Sequence, residues 1–412
     1  MAIALVTNVL APYRVPLYVL LAERYGVELL CFGAGADYVP SWFGDLDGQL
    51  AAAPFPARRI AGPRAALALG ARYRAAIAPV AGGAMLPATY LGMRARRRPF
   101  VLWASVWAHP RGGARAALGF PLVRHVYRRA DAVVAYGEHV RRYVAGYRGR
   151  DDDVWIAPQS VEAELFGRAV AAGQVAAWRA EHGLPPDGPL VLFVGRLVAE
   201  KGVRELLAAW PAVAARHPDA TLVVAGDGPL AGEVAAAARA AADPAPAGGS
   251  RAVPAAARTA PEPVSAGDAR ARAVRAAAKV PPGGVRLLGP LPRELLPVAY
   301  AAADLVVVPS IPTPRFREPW GLVCNEAMHG GTPVLATTAV GAAAGGLVRD
   351  GETGLVVPAG DPAAIAAAIA RLLGDAALRA RLGAAGRAAV AAHAYAAMAD
   401  AFGAALQHAG AL

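Results

Sequence analysis

The sequence predicts an α/β protein that contains two doubly wound parallel sheets in series. Short apolar runs alternate with helical patterns through the first half of the chain, and the alternation starts again near residue 190. Buried parallel strands occur in sequences as short apolar runs, and the helices between them cover both faces of the sheet. The length of 412 residues is too great for one hydrophobic core and suits two domains of roughly 200 residues each.

The first half of the chain contains six predicted strands. The first apolar run, at 3–7, is followed by a turn with a proline and then by a helical pattern at about 15–25. The remaining strands are predicted at 27–32, 76–80, 100–104, 132–135 and 154–156, with helices near 85–97, 115–129 and 137–146.

The second half repeats the pattern with six more strands. They are predicted at 190–194, 220–225, 285–288, 304–309, 332–337 and 354–357, with helices near 202–217, 293–302, 321–330 and 362–373. A last helical pattern at 394–408 has no strand after it.

This periodicity predicts the domain organisation. The first domain covers residues 1–182 and the second covers 183–393, while the end of the chain, 394–412, is expected to pack back on the first domain. Residues 242–283 are rich in Ala, Pro, Gly and Arg and have no strand pattern. A stretch of this kind inside a compact domain is expected to be a flexible surface insertion.

Composition excludes several classes of protein. The two cysteines, Cys31 and Cys324, are far apart, so neither a disulfide framework nor a cysteine metal cluster is expected. The eight histidines show no paired metal-ligand spacing, and no metal site is predicted. The uncharged segment 75–93 contains Pro79, Pro87 and paired glycines, which indicate a strand, a turn and a helix rather than a membrane span. The N-terminus lacks the basic region of a signal peptide, and a cytoplasmic protein is expected.

The positive charge lies mainly in the first half. Residues 1–182 contain 22 basic and 13 acidic residues, whereas the rest of the chain contains 20 and 18. A basic face suits nucleic acid, anionic lipid or a phosphorylated ligand. No nucleic-acid-binding motif is present, so nucleic acid is not expected. Peripheral association with an anionic membrane is one hypothesis, solvated helix faces are the other, and the arginines concerned are those at 94, 96, 97, 98, 124, 128, 129, 141 and 142.

A first candidate site follows the strand at 190–194. Gly195 and Arg196 end that strand, and Lys201 comes just before the next helix. Open α/β sheets bind ligands at the carboxyl ends of their strands, and an arginine with a lysine can hold a diphosphate. Lysine is rare here, since only Lys201 and Lys279 are lysines. The alternative is a solvated arginine and a lysine at a helix end.

A second candidate site contains two glutamates, Glu318 and Glu326. If a helix begins near Gly321, Glu318 lies on the loop before it and Glu326 lies more than one turn inside it. The amides of Gly321, Leu322 and Val323 would then be free donors for an anion. Carboxylates accept hydrogen bonds from sugar hydroxyls. The alternative is a loop charge and a helix-surface residue.

These segments together resemble the retaining glycosyltransferase family 4, also called glycosyl transferases group 1. The resemblance rests on GRLVAEKG, EPWGLVCNE, AMHGGTPVLATTAVG, AGDGPL, ADLVVVPS and DGETGLVVPAGD, in order through about 185–373. TNVLAPYRVPLY and ADAVVAYG in the first half are similar more loosely. The resemblance implies the GT-B fold, in which two Rossmann-like domains face a cleft. It places the acceptor on the first domain and a nucleoside diphosphate sugar, with UDP or GDP as its nucleotide, on the second.

The resemblance also implies roles for individual residues. Arg196 and Lys201 match the family's diphosphate-binding cations, Glu318 matches its sugar-binding glutamate, and Glu326 matches its ribose-binding glutamate. Gly195, Gly228 and the amides of residues 321–323 would complete the donor site. His109 is similar to a family histidine near the transferred sugar, with an inconsequential loop histidine as the alternative. No bound metal is required.

The expected function is therefore transfer of a sugar, with retention, to a glycan or lipid-linked acceptor in cell-wall, polysaccharide or glycolipid synthesis. Front-face attack is expected, with a covalent carboxylate intermediate as the alternative. Other functions left open are a non-catalytic nucleotide-sugar-binding protein, a phosphorylase-like GT-B enzyme with a lysine-bound pyridoxal cofactor, and a nicotinamide oxidoreductase.

Overall fold

The computed structural model describes residues 1–33, 45–80, 83–108, 114–242, 279–314 and 316–412. The described residues form one parallel sheet in each half of the chain, with helices packed around both. The predicted fold class, two doubly wound parallel sheets, is confirmed.

The first sheet has seven strands in the order β3-β2-β1-β4-β5-β6-β7, and all its strand pairs are parallel. Its strands are β1 (Ile3–Thr7), β2 (Val27–Cys31), β3 (Ala57–Arg59), β4 (Ala75–Pro79), β5 (Phe100–Ala104), β6 (Ala132–Ala135) and β7 (Val154–Ile156). The strand order reverses between β1 and β4, and a reversal of this kind opens a crevice at the carboxyl ends of the strands.

The second sheet has six strands in the order β10-β9-β8-β11-β12-β13, again all parallel. Its strands are β8 (Leu190–Val194), β9 (Thr221–Ala225), β10 (Val285–Gly289), β11 (Leu305–Val308), β12 (Val334–Thr337) and β13 (Leu355–Val357). Here the order reverses between β8 and β11, the two strands that precede the candidate site residues.

The helices connect the strands and cover both sheets. They are α1 (Val15–Tyr25), α2 (Leu46–Ala51), α3 (Pro63–Leu67), α4 (Met85–Ala95), α5 (Ala114–Arg129), α6 (Glu138–Arg148), α7 (Ala163–Phe166), α8 (Ala172–Glu181), α9 (Val203–Arg216), α10 (Ala231–Ala242), α11 (Leu296–Ala302), α12 (Val323–His329), α13 (Gly341–Ala344), α14 (Pro362–Gly374), α15 (Ala376–Val390) and α16 (Tyr395–His408). α1 begins and ends where the sequence indicates, because Gly26 adopts a left-handed φ of 66° and its amide bonds to the carbonyl of Ala22.

Sequence periodicity missed one strand, β3, at the edge of the first sheet. Its arginines are exposed, and Arg58 and Arg59 form ion pairs with Glu28 and Asp47. An edge strand with charged side chains has no apolar run, so the pattern that reveals buried strands does not apply to it. Several helices, among them α8, α10 and α15, were also missed. In α15 the Ala, Gly and Arg residues give little contrast between the faces of the helix.

Packing shows to which sheet each connecting segment belongs. Val161, Phe166 and Trp178 are buried in the core of the second sheet, although they precede residue 182. We therefore propose a domain boundary near residue 160, before the position expected from the sequence. Met398 and Phe402 of α16 are buried in a core with residues of the first sheet. Most of the expected insertion, 243–278, lies outside the described residues.

Among the described residues, no single helix is long and apolar enough to cross a membrane. α15 and α16 reach the length and apolar composition of a membrane span only when they are taken together, and they are bent by 42° at their junction. Both helices bury side chains in the protein core, for example Leu382 and Phe402.

Candidate active site

The loop after β8 brings Lys201 next to β11. The loop ends in a short 3-10 turn, Ala199–Lys201, and Gly202 then adopts a φ of 69° before α9 begins. A Cβ atom at Gly202 would lie 1.9 Å from the carbonyl oxygen of Pro309, which follows β11. Only glycine permits this close approach, and the two loops therefore meet at the carboxyl edge of the sheet.

Lys201 and Glu318 form an ion pair at this edge of the second sheet. The Lys201 ammonium donates to Oε2 of Glu318, and the hydroxyl of Ser310 donates to the same oxygen at 3.2 Å. The Glu318 side chain is only 8% exposed and that of Lys201 is 21% exposed. The cation and the carboxylate that the sequence assigns to different parts of a ligand are thus neighbours.

Arg196 lies at the same edge but is more accessible. Its guanidinium is 3.6 Å from the carboxylate of Glu200, and its side chain is 37% exposed. An exposed pair at this distance is weak, so Arg196 can bind an incoming anion at little cost. Arg196 and Lys201 therefore present one accessible and one sheltered cation.

The loop that contains Glu318 is held between two other segments. The backbones of Glu318 and Val340 form an isolated parallel β-bridge. The carbonyl of Trp320 accepts a 2.7 Å hydrogen bond from the amide of Ala342. A Cβ at Gly341 would lie 2.1 Å from the carbonyl oxygen of Pro319, so this glycine permits the contact. Glu318 is thus fixed on a loop, as the sequence predicts.

The amides of Gly321, Leu322 and Val323 lie at the start of α12. Within the described part of the chain, no backbone acceptor is found for these three amides. They are available to a ligand, next to Glu318, whose Cγ lies 3.8 Å from the Cβ position of Gly321. The helix begins at Val323, two residues later than the sequence suggests, and Glu326 therefore lies in the first turn instead of deeper in the helix.

Glu326 accepts a hydrogen bond of 2.5 Å from the hydroxyl of Tyr300. Burial raises the pKa of Glu326 above its ordinary value, and the Tyr300 hydrogen bond and Arg293 oppose that rise. Burial and the adjacent Glu326 also raise the pKa of Tyr300. Glu326 is partly buried and hydrogen-bonded, which differs from an ordinary helix-surface glutamate.

Two side chains of the first domain contact the Glu318 loop directly. The indole of Trp107 donates to the carbonyl of Glu318 at 3.0 Å, and His139 Nε2 lies 3.0 Å from the carbonyl of Pro319. A carbonyl can only accept, so His139 carries its proton on Nε2. The guanidinium of Arg317 lies 4.5 Å from the Trp107 ring centroid. The first domain therefore helps to position the loop of the second.

Trp320 occupies the centre of this contact. It is buried between His139 and His393, with ring centroids 6.0 and 5.6 Å away. Its indole donates to Asn325 Oδ1 at 2.7 Å, and Asn325 donates in turn to the carbonyl of Gln159 at 2.7 Å. We call Trp107, His139, Trp320, Asn325 and His393 the junction cluster.

Sequence reasoning found some of this site and missed the rest. It gave no role to His139, which belongs to no motif and is distant in sequence from its partner. Gly228 has a φ of 150°, and a Cβ there would lie 2.6 Å from the carbonyl oxygen of Leu197. Close packing between two loops therefore explains why this residue is glycine. Its amide donates to Asp227 Oδ1 at 2.7 Å. His109 lies outside the described residues.

The described residues contain no group of three or more His, Cys, Asp or Glu side chains that could hold a metal ion. Cys31 and Cys324 are both buried as free thiols. The independence from metal remains a prediction from the sequence.

Comparison with known proteins agrees with this geometry. Two family models, both described as glycosyl transferases group 1, match residues 174–242 and 250–375. The D-inositol 3-phosphate glycosyltransferase of Acidothermus cellulolyticus is 34% identical over 273 residues, which are 63% of this chain and 50% of that protein. The enzyme of the same name from Thermomonospora curvata is 33% identical over 261 residues, 62% of this chain and 52% of that protein. The chain thus spans about half the length of these relatives.

Solved structures support the fold over the whole chain. Anabaena HepE in complex with UDP has a TM-score of 0.71 and 19% identity, covering 99% of this chain and 100% of that one. Sucrose-phosphate synthase from Thermosynechococcus elongatus has a TM-score of 0.64 and 23% identity, covering 99% and 98%. The second half of the chain thus matches the glycosyl transferases group 1 in sequence, and the chain as a whole has the GT-B fold.

Proposed function

We propose that this protein transfers a sugar from a nucleoside diphosphate sugar to a glycan or lipid-linked acceptor, with retention at the anomeric carbon. The ion pair of Lys201 and Glu318, on a loop of the second domain that Trp107 and His139 of the first domain contact, is the observation on which the proposal rests. The D-inositol 3-phosphate glycosyltransferases and the HepE–UDP complex support the same substrate class.

The residues at the crevice suit the parts of such a donor. Arg196, Lys201 and the amides of residues 321–323 would bind the diphosphate, because they are the cations and free N–H donors at this edge. Glu318, oriented by Ser310 and Lys201, would accept hydrogen bonds from sugar hydroxyls. Glu326, already bonded to Tyr300, would accept from the ribose hydroxyls.

Transfer requires that charge on the leaving group be stabilised. As the bond between the anomeric carbon and the diphosphate breaks, negative charge develops on the diphosphate oxygen, opposite Arg196 and Lys201. In front-face attack the acceptor oxygen forms its bond on the same side of the sugar. The acceptor proton then passes to the departing phosphate oxygen, so no protein base is needed.

A nucleotide melting screen tests the donor assignment. We expect UDP to raise the melting temperature, with GDP as the next best nucleotide, and NAD to have no effect. Saturation at 100 times the Kd adds about 2.7 kcal/mol to the free energy of unfolding. If neither UDP nor GDP stabilises the protein, the donor proposal is wrong.

Donor turnover separates a transferase from a protein that only binds nucleotide sugars. An active transferase releases the nucleoside diphosphate slowly by hydrolysis and faster when a suitable acceptor is present. Stabilisation by UDP without any release of UDP from UDP-sugars, across a panel of acceptors, would favour the binding protein.

We also propose that the first domain contacts the inner face of an anionic membrane. Of the nine arginines named from the sequence, Arg94 and Arg141 form ion pairs with described carboxylates. Leu91 and Leu122 on α4 and α5 are 50% and 39% exposed beside these arginines. Exposed leucines among cations are typical of a helix face that lies on a membrane.

Co-sedimentation with liposomes tests the membrane proposal. We expect binding to phosphatidylserine vesicles at low salt that weakens as salt rises, because each cation near the surface contributes about 1 kcal/mol. Neutral phosphatidylcholine vesicles serve as the control. Equal recovery with both lipids, or none with either, would contradict the proposal.

A further inference from the structure

Tyr300 on α11 is a buried residue whose hydroxyl contacts a residue of the candidate active site. Its side chain is 1% exposed and lies in the apolar core of the second sheet, where its ring centroid is 6.3 Å from that of Phe166. A hydroxyl in an apolar core is costly unless it forms a hydrogen bond, and phenylalanine would fill the same space without that cost. Packing alone therefore does not account for the hydroxyl of Tyr300.

The partner of this hydroxyl is Glu326. The hydroxyl donates to Oε2 of the carboxylate at 2.5 Å, across the contact between α11 and α12. Burial and the adjacent carboxylate raise the pKa of Tyr300, so the hydroxyl keeps its proton and remains the donor. Burial also raises the pKa of Glu326, and the bond from Tyr300, ahead of the charge of Arg293, opposes that rise. Tyr300 therefore favours the ionised form of Glu326.

Tyr300 is fixed in place before any ligand arrives. Its carbonyl accepts a 2.9 Å hydrogen bond from the hydroxyl of Thr332, which follows α12, and a 3.1 Å bond from the amide of Ala303. α12 is thus tied to Tyr300 near its start, through Glu326, and just beyond its end, through Thr332. A side chain held by a rigid neighbour loses little entropy when it binds a ligand.

The two partners differ in their accessibility. Tyr300 is buried, whereas Glu326 is only partly buried and lies in the first turn of α12, three residues after Val323. A ligand at this edge of the sheet can therefore contact Glu326, but it cannot contact Tyr300 without a rearrangement of the core. The two oxygens of a carboxylate offer about four lone-pair positions, and Tyr300 uses one of them. The others can accept hydrogen bonds from the hydroxyls of a ligand.

We propose that Tyr300 is a positioning residue for the donor nucleotide, which acts through Glu326 and sets the preference of the site for a ribose that has both of its hydroxyls. This inference rests on the proposed function, in which Glu326 binds the ribose, and adds the residue that orients that carboxylate. A site built to hydrogen-bond a hydroxyl discriminates against analogues that lack it, because its polar groups are then left unpaired. The discrimination is strong only when the carboxylate is held in one orientation.

Calorimetric titration of the full chain with UDP and with 2′,3′-dideoxy-UDP tests the proposal. In the wild type we expect UDP to bind on the order of a hundredfold more tightly than the dideoxy nucleotide, because hydrogen bonds to a charged group are lost. Tyr300→Phe should reduce this ratio about tenfold by weakening UDP alone. Tyr18→Phe is the matched control, because Tyr18 is also buried but lies on α1 of the first domain. It should keep the wild-type ratio.

Steady-state kinetics provides a readout that a purely structural role would not change. The ribose hydroxyls do not react, so their contacts are the same in the ground state and the transition state. Tyr300→Phe should therefore raise KM for the UDP-sugar and leave kcat unchanged. A variant that only folds less completely would instead lose kcat at constant KM, because a smaller fraction of it is active. That second pattern would contradict the proposal.

A double variant shows whether Tyr300 acts through Glu326. Glu326→Ala removes the acceptor of the hydrogen bond and should weaken UDP. Addition of Tyr300→Phe to Glu326→Ala should then weaken UDP no further, because residues that act through one contact are not additive. A further loss in the double variant would mean that Tyr300 acts by another route, which overturns the proposal. This comparison also holds if Tyr300→Phe alone does not fold, since the double variant leaves neither the hydroxyl nor the carboxylate without a partner.

The outcomes separate this inference from the proposed function. If UDP does not bind, the proposed donor is wrong. If the wild type binds UDP and the dideoxy nucleotide equally, the assignment of Glu326 to the ribose is wrong, and in both cases the role of Tyr300 is wrong as well. If the wild type discriminates between the two nucleotides and Tyr300→Phe discriminates equally, only the role of Tyr300 is wrong.

Discussion

Replacement of Lys201 by methionine should reduce kcat/KM for sugar transfer by about tenfold to 150-fold, the loss of a charge-assisted hydrogen bond worth about 1.5–3 kcal/mol. It should also reduce the free energy of unfolding by about 3 kcal/mol, because it leaves the buried carboxylate of Glu318 without its cation. Only the hydroxyl of Ser310 would then remain on the oxygen that Lys201 contacts.

A double variant separates the two effects of Lys201. In Lys201→Met/Glu318→Gln neither charge remains, so most of the stability should return. Activity should not return, because the proposed contacts to the diphosphate and the sugar are both lost. Chemical denaturation measures the first quantity and steady-state kinetics measures the second. Recovery of activity together with stability would show that Lys201 serves only the structure.

The other lysine of the chain provides the matched control. Lys279 is exposed and distant in sequence from the candidate site residues. Lys279→Met should therefore change neither the stability nor kcat/KM. An unchanged kcat/KM in Lys201→Met itself would overturn the assignment of Lys201 to the donor site.

The fold could be predicted because buried parallel strands have a strong sequence signal. All five residues of β1 and of β9 are buried, and each strand forms an uninterrupted apolar run or nearly so. The signal disappears where a strand meets solvent, as in β3, whose arginines are stabilised by ion pairs instead of burial. Periodicity therefore recovers the strands that have an apolar run, including the edge strands β7, β10 and β13, and misses the charged edge strand β3.

The candidate site could be predicted only in part for a different reason. Arg196, Lys201 and Glu318 belong to recognisable motifs, but their pairing depends on how β8 and β11 lie side by side. Lys201 and Glu318 are 117 positions apart, and His139 and Pro319 are 180 apart. Contacts over such separations depend on the packing of the two domains, and no local pattern records them.

The pH dependence of stability should reveal the contact made by His139. Burial lowers the pKa of His139 to about 4 from 6.5, although its hydrogen bond to Pro319 opposes that shift and the nearby Arg142 adds to it. At neutral pH the ring is uncharged, Nε2 donates to the carbonyl of Pro319, and Nδ1 is buried without a partner among the described residues. Protonation would add a second N–H where no acceptor is present.

The direction of the effect follows from which state binds the proton. Between pH 6.5 and about 4 the unfolded chain protonates this histidine and the folded chain does not. Stability therefore falls as the pH falls through this range, by a total on the order of 3 kcal/mol from His139 alone. Below pH 4 both states are protonated and the loss stops growing. Burial also lowers the pKa values of His393, His329 and His182, which adds to the acid sensitivity.

Variants of His139 isolate its share of the pH dependence of stability. His139→Gln retains an N–H donor for the Pro319 carbonyl but cannot be protonated in this range, so denaturation curves from pH 7.5 to 4 should become less steep by His139's contribution. His408→Gln is the control for the substitution itself, since His408 is exposed, and it should leave the stability at pH 7.5 unchanged. His139→Leu lacks the donor and should lower the free energy of unfolding by about 1–3 kcal/mol at every pH.

A wild-type slope in His139→Gln would mean that His139 is not held in the uncharged form. Unchanged stability in His139→Leu would mean that the hydrogen bond to Pro319 does not stabilise the folded protein. Because that bond joins the first domain to the loop of Glu318, the same loss should raise KM for the donor while it lowers stability.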